Sequence, residues 1–247
     1  MDSITSNNLE DTGERMIPTQ KGELSVVYEH HKYAYEETLQ YVTDKIVLDV
    51  GCGTGYGVKI CSETAKFVVG LDYDLSAVKY CNDNFATENN SFINSNALLL
   101  SIGTDSFDVA ITFQVIEHIS DSLKFIEELK RVVKPSGLII ISTPNVTDSA
   151  KRKFGNPFHI NEMGYDDLED LLRKSFESFE IFGHTYKSQG TLMKMIRKLP
   201  LYKIGAWFRR SSIIKKQVSK SLGMTKFRTV RDNVENSMDL YAVCKNE

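Results

Sequence analysis

The sequence predicts a doubly wound, mostly parallel α/β sheet of seven strands, with a helical insertion before the last of them. Three observations carry that expectation. Apolar runs of strand length alternate with helix-like segments from Ile46 to Ser142. The first run, Ile46 to Val50, breaks into glycines at every second position, Gly51, Gly53, Gly55 and Gly57. An acidic residue, Asp72, then ends the next run, 21 residues beyond Gly51 (72 minus 51).

A strand that opens into alternating glycines lets backbone approach a ligand closely, and open α/β sheets bind nucleotides at such turns. The dinucleotide pattern G-x-G-x-x-G fails here, because Tyr56 and Val58 stand where its third glycine would fall. No Gly-Lys-Ser/Thr ends the loop, which excludes a phosphate-binding P-loop. Asp49, just ahead of the glycines, would repel a pyrophosphate and suits a ligand carrying positive charge. Asp72, at the tip of the second strand, is placed to accept both hydroxyls of a ribose.

The remaining elements follow in order. Gly22 to Val42 reads as a helix, with Val27, Tyr28, His31, Ala34, Tyr35 and Leu39 at spacings of three and four. Its aromatic face reads equally as core or as a cover over the ligand. Val58 to Ala65 is the first helix after the loop, Lys66 to Asp72 the second strand, and Ser76 to Ala86 a helix that Asp74 caps. Ser91 to Asn94 and Phe107 to Phe113 are strands, and Ser120 to Val133 is a helix stopped by Lys134-Pro135-Ser136-Gly137. Leu138 to Ser142, Phe179 to Tyr186 and Met238 to Cys244 are the last three strands, with a helix at Tyr165 to Ser175.

Composition bounds the class. The chain of 247 residues is 41% hydrophobic and 26% charged, ordinary for one α/β domain in solution. No apolar run approaches the roughly 18 residues of a membrane helix, and the polar start MDSITSNNLEDTGER is unlike a signal peptide. Cys52, Cys61, Cys81 and Cys244 show no C-x-x-C spacing. A reduced, cytoplasmic protein is expected. The net charge of −3 is unevenly spread: Lys187 to Arg231 holds thirteen basic and no acidic residues, leaving 17 basic and 33 acidic elsewhere, or −16. The expected segments are therefore 1–44, an N-terminal stretch with a cover helix; 45–186, the ligand-binding core; 187–231, a basic helical insertion acting as a lid; and 232–247, the last strand. The basic block favours an anionic acceptor or peripheral contact with a membrane surface.

The string Asp49-x-Gly51-x-Gly53-x-Gly55 resembles motif I of class I S-adenosylmethionine (SAM)-dependent methyltransferases, whose cofactor carries an ammonium and a sulfonium. Residues 46 to 144 resemble the ubiquinone-type small-molecule subgroup, through Ser106-Phe107-Asp108, Glu117-His118, Lys134 to Gly137 and Ser142 to Asn145. Thr12-Gly13-Glu14-Arg15, His31-Lys32-Tyr33 and Asn156-Pro157-Phe158-His159 with Glu162 are similar to methyltransferases of surface-polysaccharide gene clusters. The resemblance implies a Rossmann-like fold and S-adenosyl-L-methionine as cofactor. It places Asn96 and Ala97 at the adenine, where the usual acid is replaced by Asn, and makes Tyr73 and Gln114 cofactor-side residues beside Asp49, Gly51, Gly53, Gly55 and Asp72.

Methyl transfer to a hydroxyl needs positioning and a base. His159, on a loop expected to roof the acceptor side, is the favoured base, and His118 lines the site. Some relatives carry E-x-x-E-H at this corner and bind a divalent ion; Gln114 stands here for the first Glu, a weak ligand, so no metal is expected. The leading expectation is O-methylation of a small, sugar-like or phosphate-bearing acceptor. RNA methylation through the basic block is the alternative, though nucleic acid is disfavoured by the acidic body and the lack of an aromatic stacking motif. A non-catalytic SAM-binding regulator is a third reading.

Overall fold

Alternation along the central strands sends successive side chains to opposite faces, and both faces are apolar, so the sheet must be covered on both sides. In the computed structural model, which describes residues 26–146, 158–186 and 227–247, that is the arrangement. Val47, Val109 and Ile140 face one cluster, with α1 (Val26–Val42), α2 (Tyr56–Cys61) and α3 (Leu75–Phe85). Leu48, Ala110, Ile139 and Ile141 face the other, with α4 (Ser122–Val132) and α5 (Tyr165–Ser175).

The strands are β1 (Ile46–Val50), β2 (Phe67–Asp72), β3 (Asn90–Asn94), β4 (Phe107–Phe113), β5 (Val133–Pro144), β6 (Phe179–Tyr186), β7 (Phe227–Val230) and β8 (Asp239–Lys245). They lie in the order β3-β2-β1-β4-β5-β8-β6-β7. β1 to β5 run parallel, while β8 is antiparallel to both β5 and β6. The chain reverses its direction of progress between β1 and β4, which opens a crevice at their carboxyl ends.

Two expectations are corrected. The sheet has eight strands, because Phe227–Val230, inside the segment expected to be helical, pairs antiparallel with β6 from Gly183↔Val230 to Tyr186↔Phe227. Lys134 to Gly137 does not separate helix from strand: β5 begins at Val133, and its register against β4 shifts between Phe107 and Val109. The chain's end holds this irregularity in place, since Ser136 N–H donates to the Asn246 carbonyl at 2.7 Å and Asn246 N–H donates to Gly137 at 2.9 Å. The greater part of the basic block, 187–226, lies outside the described residues, as do the Thr12 to Arg15 motif and the start of the Asn156 motif.

Helix ends follow local chemistry. Asp74 accepts from Ser76 N–H at 2.7 Å and Asp121 from Lys124 N–H at 3.1 Å, each satisfying a first-turn donor. In α4 the spacing of Phe125, Ile126, Leu129 and Val132 gives one fully buried face.

α1 is fixed to the glycine loop by a close approach. A Cβ at Gly57 would lie 2.0 Å from the Tyr35 ring, so only glycine leaves room for that tyrosine. Gly57→Ala should therefore destabilise the fold by about 1 to 3 kcal/mol, the usual cost of overpacking. Denaturant unfolding checks it, and the cost should shrink in a Tyr35→Ala background.

Candidate active site

The crevice holds a cavity of about 620 Å³ at the carboxyl ends of β1, β2 and β4. Four loops and two helices wall it. Gly51 to Thr54 come from the turn after β1, Asp72 and Tyr73 from the end of β2, Asn96 to Leu98 from the turn after β3, and Gln114 and Val115 from the end of β4. His31, Tyr35 and Tyr56 close it from α1 and α2, and His118 and Phe158 line a further part of the wall. The cover role and the core role of the first helix coincide: Tyr35 is buried, packs on Phe113 at 4.8 Å between ring centroids, and still faces the cavity.

The glycine loop is shaped as a cradle. Gly53 has φ +53°, and a Cβ built on it would meet nothing within 4 Å. Its missing side chain is thus space on the cavity side, where backbone can meet a ligand. Gly53 N–H donates to Asp72 Oδ2 at 2.9 Å, and Asp74 N–H donates to Asp72 Oδ1 at 2.9 Å. A carboxylate offers about four acceptor positions, so Asp72 keeps capacity for two hydroxyls. That matches a ribose.

Asp49 is placed differently from expectation. It is fully buried beneath the loop rather than in the cavity wall, and the Tyr35 hydroxyl donates to its two carboxylate oxygens at 3.2 and 3.1 Å. Burial pushes its carboxyl up to about 7; the Tyr35 hydrogen bond opposes this, and the nearby Asp72 charge adds to it. Gly55 also lies behind the wall, at the start of α2 against Cys81, Phe92 and Phe85. Gly51, Gly53, Asp72, Tyr73, Asn96, Ala97 and Gln114 do meet at the cavity.

Asn96 turns its amide oxygen to Leu98 N–H at 2.8 Å, which shapes the turn after β3. Gln114 has left-handed backbone, φ 56°, and its amide donates to Asp239 Oδ2 at 3.1 Å and Ser142 Oγ at 3.4 Å. His31 Nδ1 lies 3.1 Å from the Tyr56 hydroxyl, and burial lowers its pKa to about 4, so it stands neutral. Sequence reading left Tyr56, Leu98 and Val115 unassigned. Only the fold puts them on the wall, since nothing in their spacing marks it.

His118 and His159 come together, with ring centroids 4.9 Å apart and planes at 79°. His118 lines the cavity, whereas His159 packs edge-on against it and pairs with Glu162 at 3.3 Å.

The donor set suits S-adenosylmethionine: a carboxylate for the ribose, a glycine cradle, and a buried acid poised to ionise near a cation. A positive ligand favours ionised Asp49, whose own pKa is about 7. Affinity should therefore rise about tenfold from about pH 6 to pH 8, as the ionised fraction grows. Calorimetry across that range checks it, and Asp49→Asn should flatten the profile.

Comparison with known proteins agrees with this geometry. Residues 48–141 match the family described as "Methyltransferase domain". The fold is similar to that of the YcgJ protein from Bacillus subtilis, with a TM-score of 0.60 at 16% identity, covering 88% of this chain and 100% of that one. A "Probable S-adenosylmethionine-dependent methyltransferase" of Mycobacterium tuberculosis is 37% identical over 163 residues, 65% of this chain, and the match spans 58% of that relative's length. A protein of Mycolicibacterium smegmatis with the same description is 34% identical over 182 residues, covering 73% of this chain and 69% of the relative. On that likeness, and with the glycine loop, Asp72 and the cavity at the carboxyl ends of β1 and β4 all in place, the chain belongs to the S-adenosylmethionine-dependent methyltransferases.

Proposed function

We propose that this chain methylates a small acceptor in the cytoplasm, at a hydroxyl oxygen, and that the acceptor is sugar-like or phosphate-bearing. The observation that carries the reading is the pair His118 and His159, one on the cavity wall and one in contact with it, beside buried Glu117. S-adenosylmethionine supplies an electrophilic methyl group when bound. Asp72 would hold the ribose hydroxyls, Gly51 and Gly53 would present backbone to the cofactor, and Asn96 with Ala97 would meet the adenine. The histidine pair would assist loss of the hydroxyl's proton, a contribution of roughly 10² to 10⁴ in rate. Most of the remaining advantage is orientation of the acceptor oxygen behind the methyl carbon.

The acceptor class is supported by the thirteen positive charges of Lys187 to Arg231 and by similarity of sequence motifs to enzymes of polysaccharide gene clusters. That block would draw an anionic acceptor, or a membrane surface presenting one, toward the site.

Two measurements test the assignment. Asp72→Ala should weaken SAM binding by about 1.5 to 3 kcal/mol, the range for hydrogen bonds to a charged group, whereas His159→Ala should leave SAM affinity near wild type and lower turnover on the true acceptor. If His118→Ala abolishes turnover and His159→Ala does not, His118 is the base. For the basic block, acceptor affinity should fall toward about 1 M salt, where the Debye length is near 3 Å, and reversing Arg209 and Arg210 to Glu should reproduce the loss. An acceptor affinity indifferent to salt would remove the charge argument.

A further inference from the structure

Glu117 and His118 sit together on a short turn, Ile116–His118, directly after β4. His159 is 41 residues away in sequence (159 minus 118), and the fold docks it there. Ile160 N–H and Asn161 N–H both donate to the Glu117 carbonyl, at 3.0 and 2.9 Å. The Asn161 amide donates to the Ile119 carbonyl at 3.3 Å and to Ser122 Oγ at 2.5 Å. As a result one carboxylate oxygen of Glu117 and one ring nitrogen of each histidine lie within 4.8 Å of one another.

We propose that Glu117, His118 and His159 bind one divalent transition-metal ion at the edge of the cavity. Such an ion takes imidazole nitrogen at about 2.0 to 2.1 Å and carboxylate oxygen at about 2.0 to 2.2 Å. Two donors on one ion are therefore at most about 4.3 Å apart, so a spread of up to 4.8 Å would have to close by about 0.5 Å (4.8 minus 4.3) on binding.

The surroundings are those a metal ligand needs. His118 Nδ1 lies 3.0 Å from the Phe158 carbonyl, which can only accept, so Nδ1 carries the proton and Nε2 is the basic nitrogen. His159 Nδ1 is oriented in the same way by Glu162 Oε1 at 3.3 Å, and Thr143 Oγ1 donates to Glu117 Oε2 at 3.1 Å. Partners of this kind fix tautomer and ring angle and raise ligand basicity. Two imidazoles and one carboxylate suit zinc, manganese, iron or cobalt, and not calcium or magnesium, which prefer all-oxygen sites. The sequence argument against a metal rested on Gln114, whose side chain is engaged with Asp239 and Ser142. The third donor comes instead from a loop that no local spacing could reveal.

The role of the ion rests on the function proposed above and deepens it: with the ion bound, the two histidines assist loss of the acceptor's proton through the ion they hold, because a hydroxyl on its open position ionises more readily. The binding itself is tested without acceptor. Full-length protein is stripped with chelator and titrated with cobalt(II) and zinc(II). One cobalt per chain should bind saturably, give a visible d–d absorption band, and be displaced by zinc. His159→Ala should weaken binding at least tenfold. Glu162→Gln, which keeps the shape of the orienting residue, should weaken it about 10- to 100-fold. SAM affinity of both variants, measured by calorimetry, reports that the fold is intact. Absence of saturable cobalt binding tighter than about 1 mM, or a cobalt spectrum unchanged by both variants, overturns the site while SAM binding keeps the methyltransferase reading. Loss of SAM binding in the unaltered protein would instead strike that reading.

Discussion

The structure depends on one buried contact, the Tyr35 hydroxyl on the Asp49 carboxylate. A fully buried acid at the end of the central strand is costly, and desolvation alone would keep it protonated. Tyr35 offsets part of that cost by donating to both oxygens, and in doing so it joins α1 to the floor beneath the glycine loop. Gly57 completes the joint, since any side chain there would displace the tyrosine ring. Floor, loop and cover are thus one unit. Removing the tyrosine would loosen the helix that closes the cavity as well as the acid beneath it.

A second buried polar group joins α1 to the other end of the sheet. His30 Nδ1 lies 3.4 Å from Asp239 Oδ2, and the same oxygen accepts the Gln114 amide at 3.1 Å. Burial raises Asp239 to about 7 and lowers His30 to about 4 and His184 to about 3, with the neighbouring His31 adding to the shift of His30 and His30 adding to that of His184. The signs oppose. Asp239, with its pKa raised, contributes stability below about pH 4 that is lost as pH rises through about 7; the histidines, with theirs lowered, contribute stability above about 6.5 that is lost as pH falls through about 4 and 3. Between about pH 4 and 6.5 the acid and the histidines therefore offset one another. Gln114, held in left-handed backbone at the cavity, takes its position from this cluster and from the Ser142 hydroxyl and carbonyl.

Much of this was legible in the sequence, for a local reason. β1, β4, α5 and β6 carry the ends that periodicity gave them, because apolar runs and turn residues coincide there. The cradle and Asp72 were legible because a tight strand-to-helix turn constrains residue type at each step. What escaped depends on partners distant in sequence. Phe227–Val230 becomes a strand because β6 offers an open edge, and Thr229 is tied to Glu37 at 2.8 Å and Tyr33 at 3.1 Å on α1. Val133 to Gly137 joins β5 because Asn246, near the chain's end, accepts from one side and donates to the other; its side-chain amide also donates to Val133 at 2.7 Å.

Asp49 lies beneath the loop and not in the cavity wall, which changes how its charge reaches the cavity. The acid was expected to suit a ligand carrying positive charge; a carboxylate in the wall would be hydrated and its field strongly screened. Beneath the loop, in a region of low dielectric, the same charge is screened far less and its ionisation becomes sensitive to what occupies the cavity. The cost is borne by a carboxyl whose pKa is raised to about 7, and Tyr35 limits that rise. The tyrosine ring stands at the cavity wall with its hydroxyl on the acid. Charge and ligand can therefore communicate through one rigid side chain without touching.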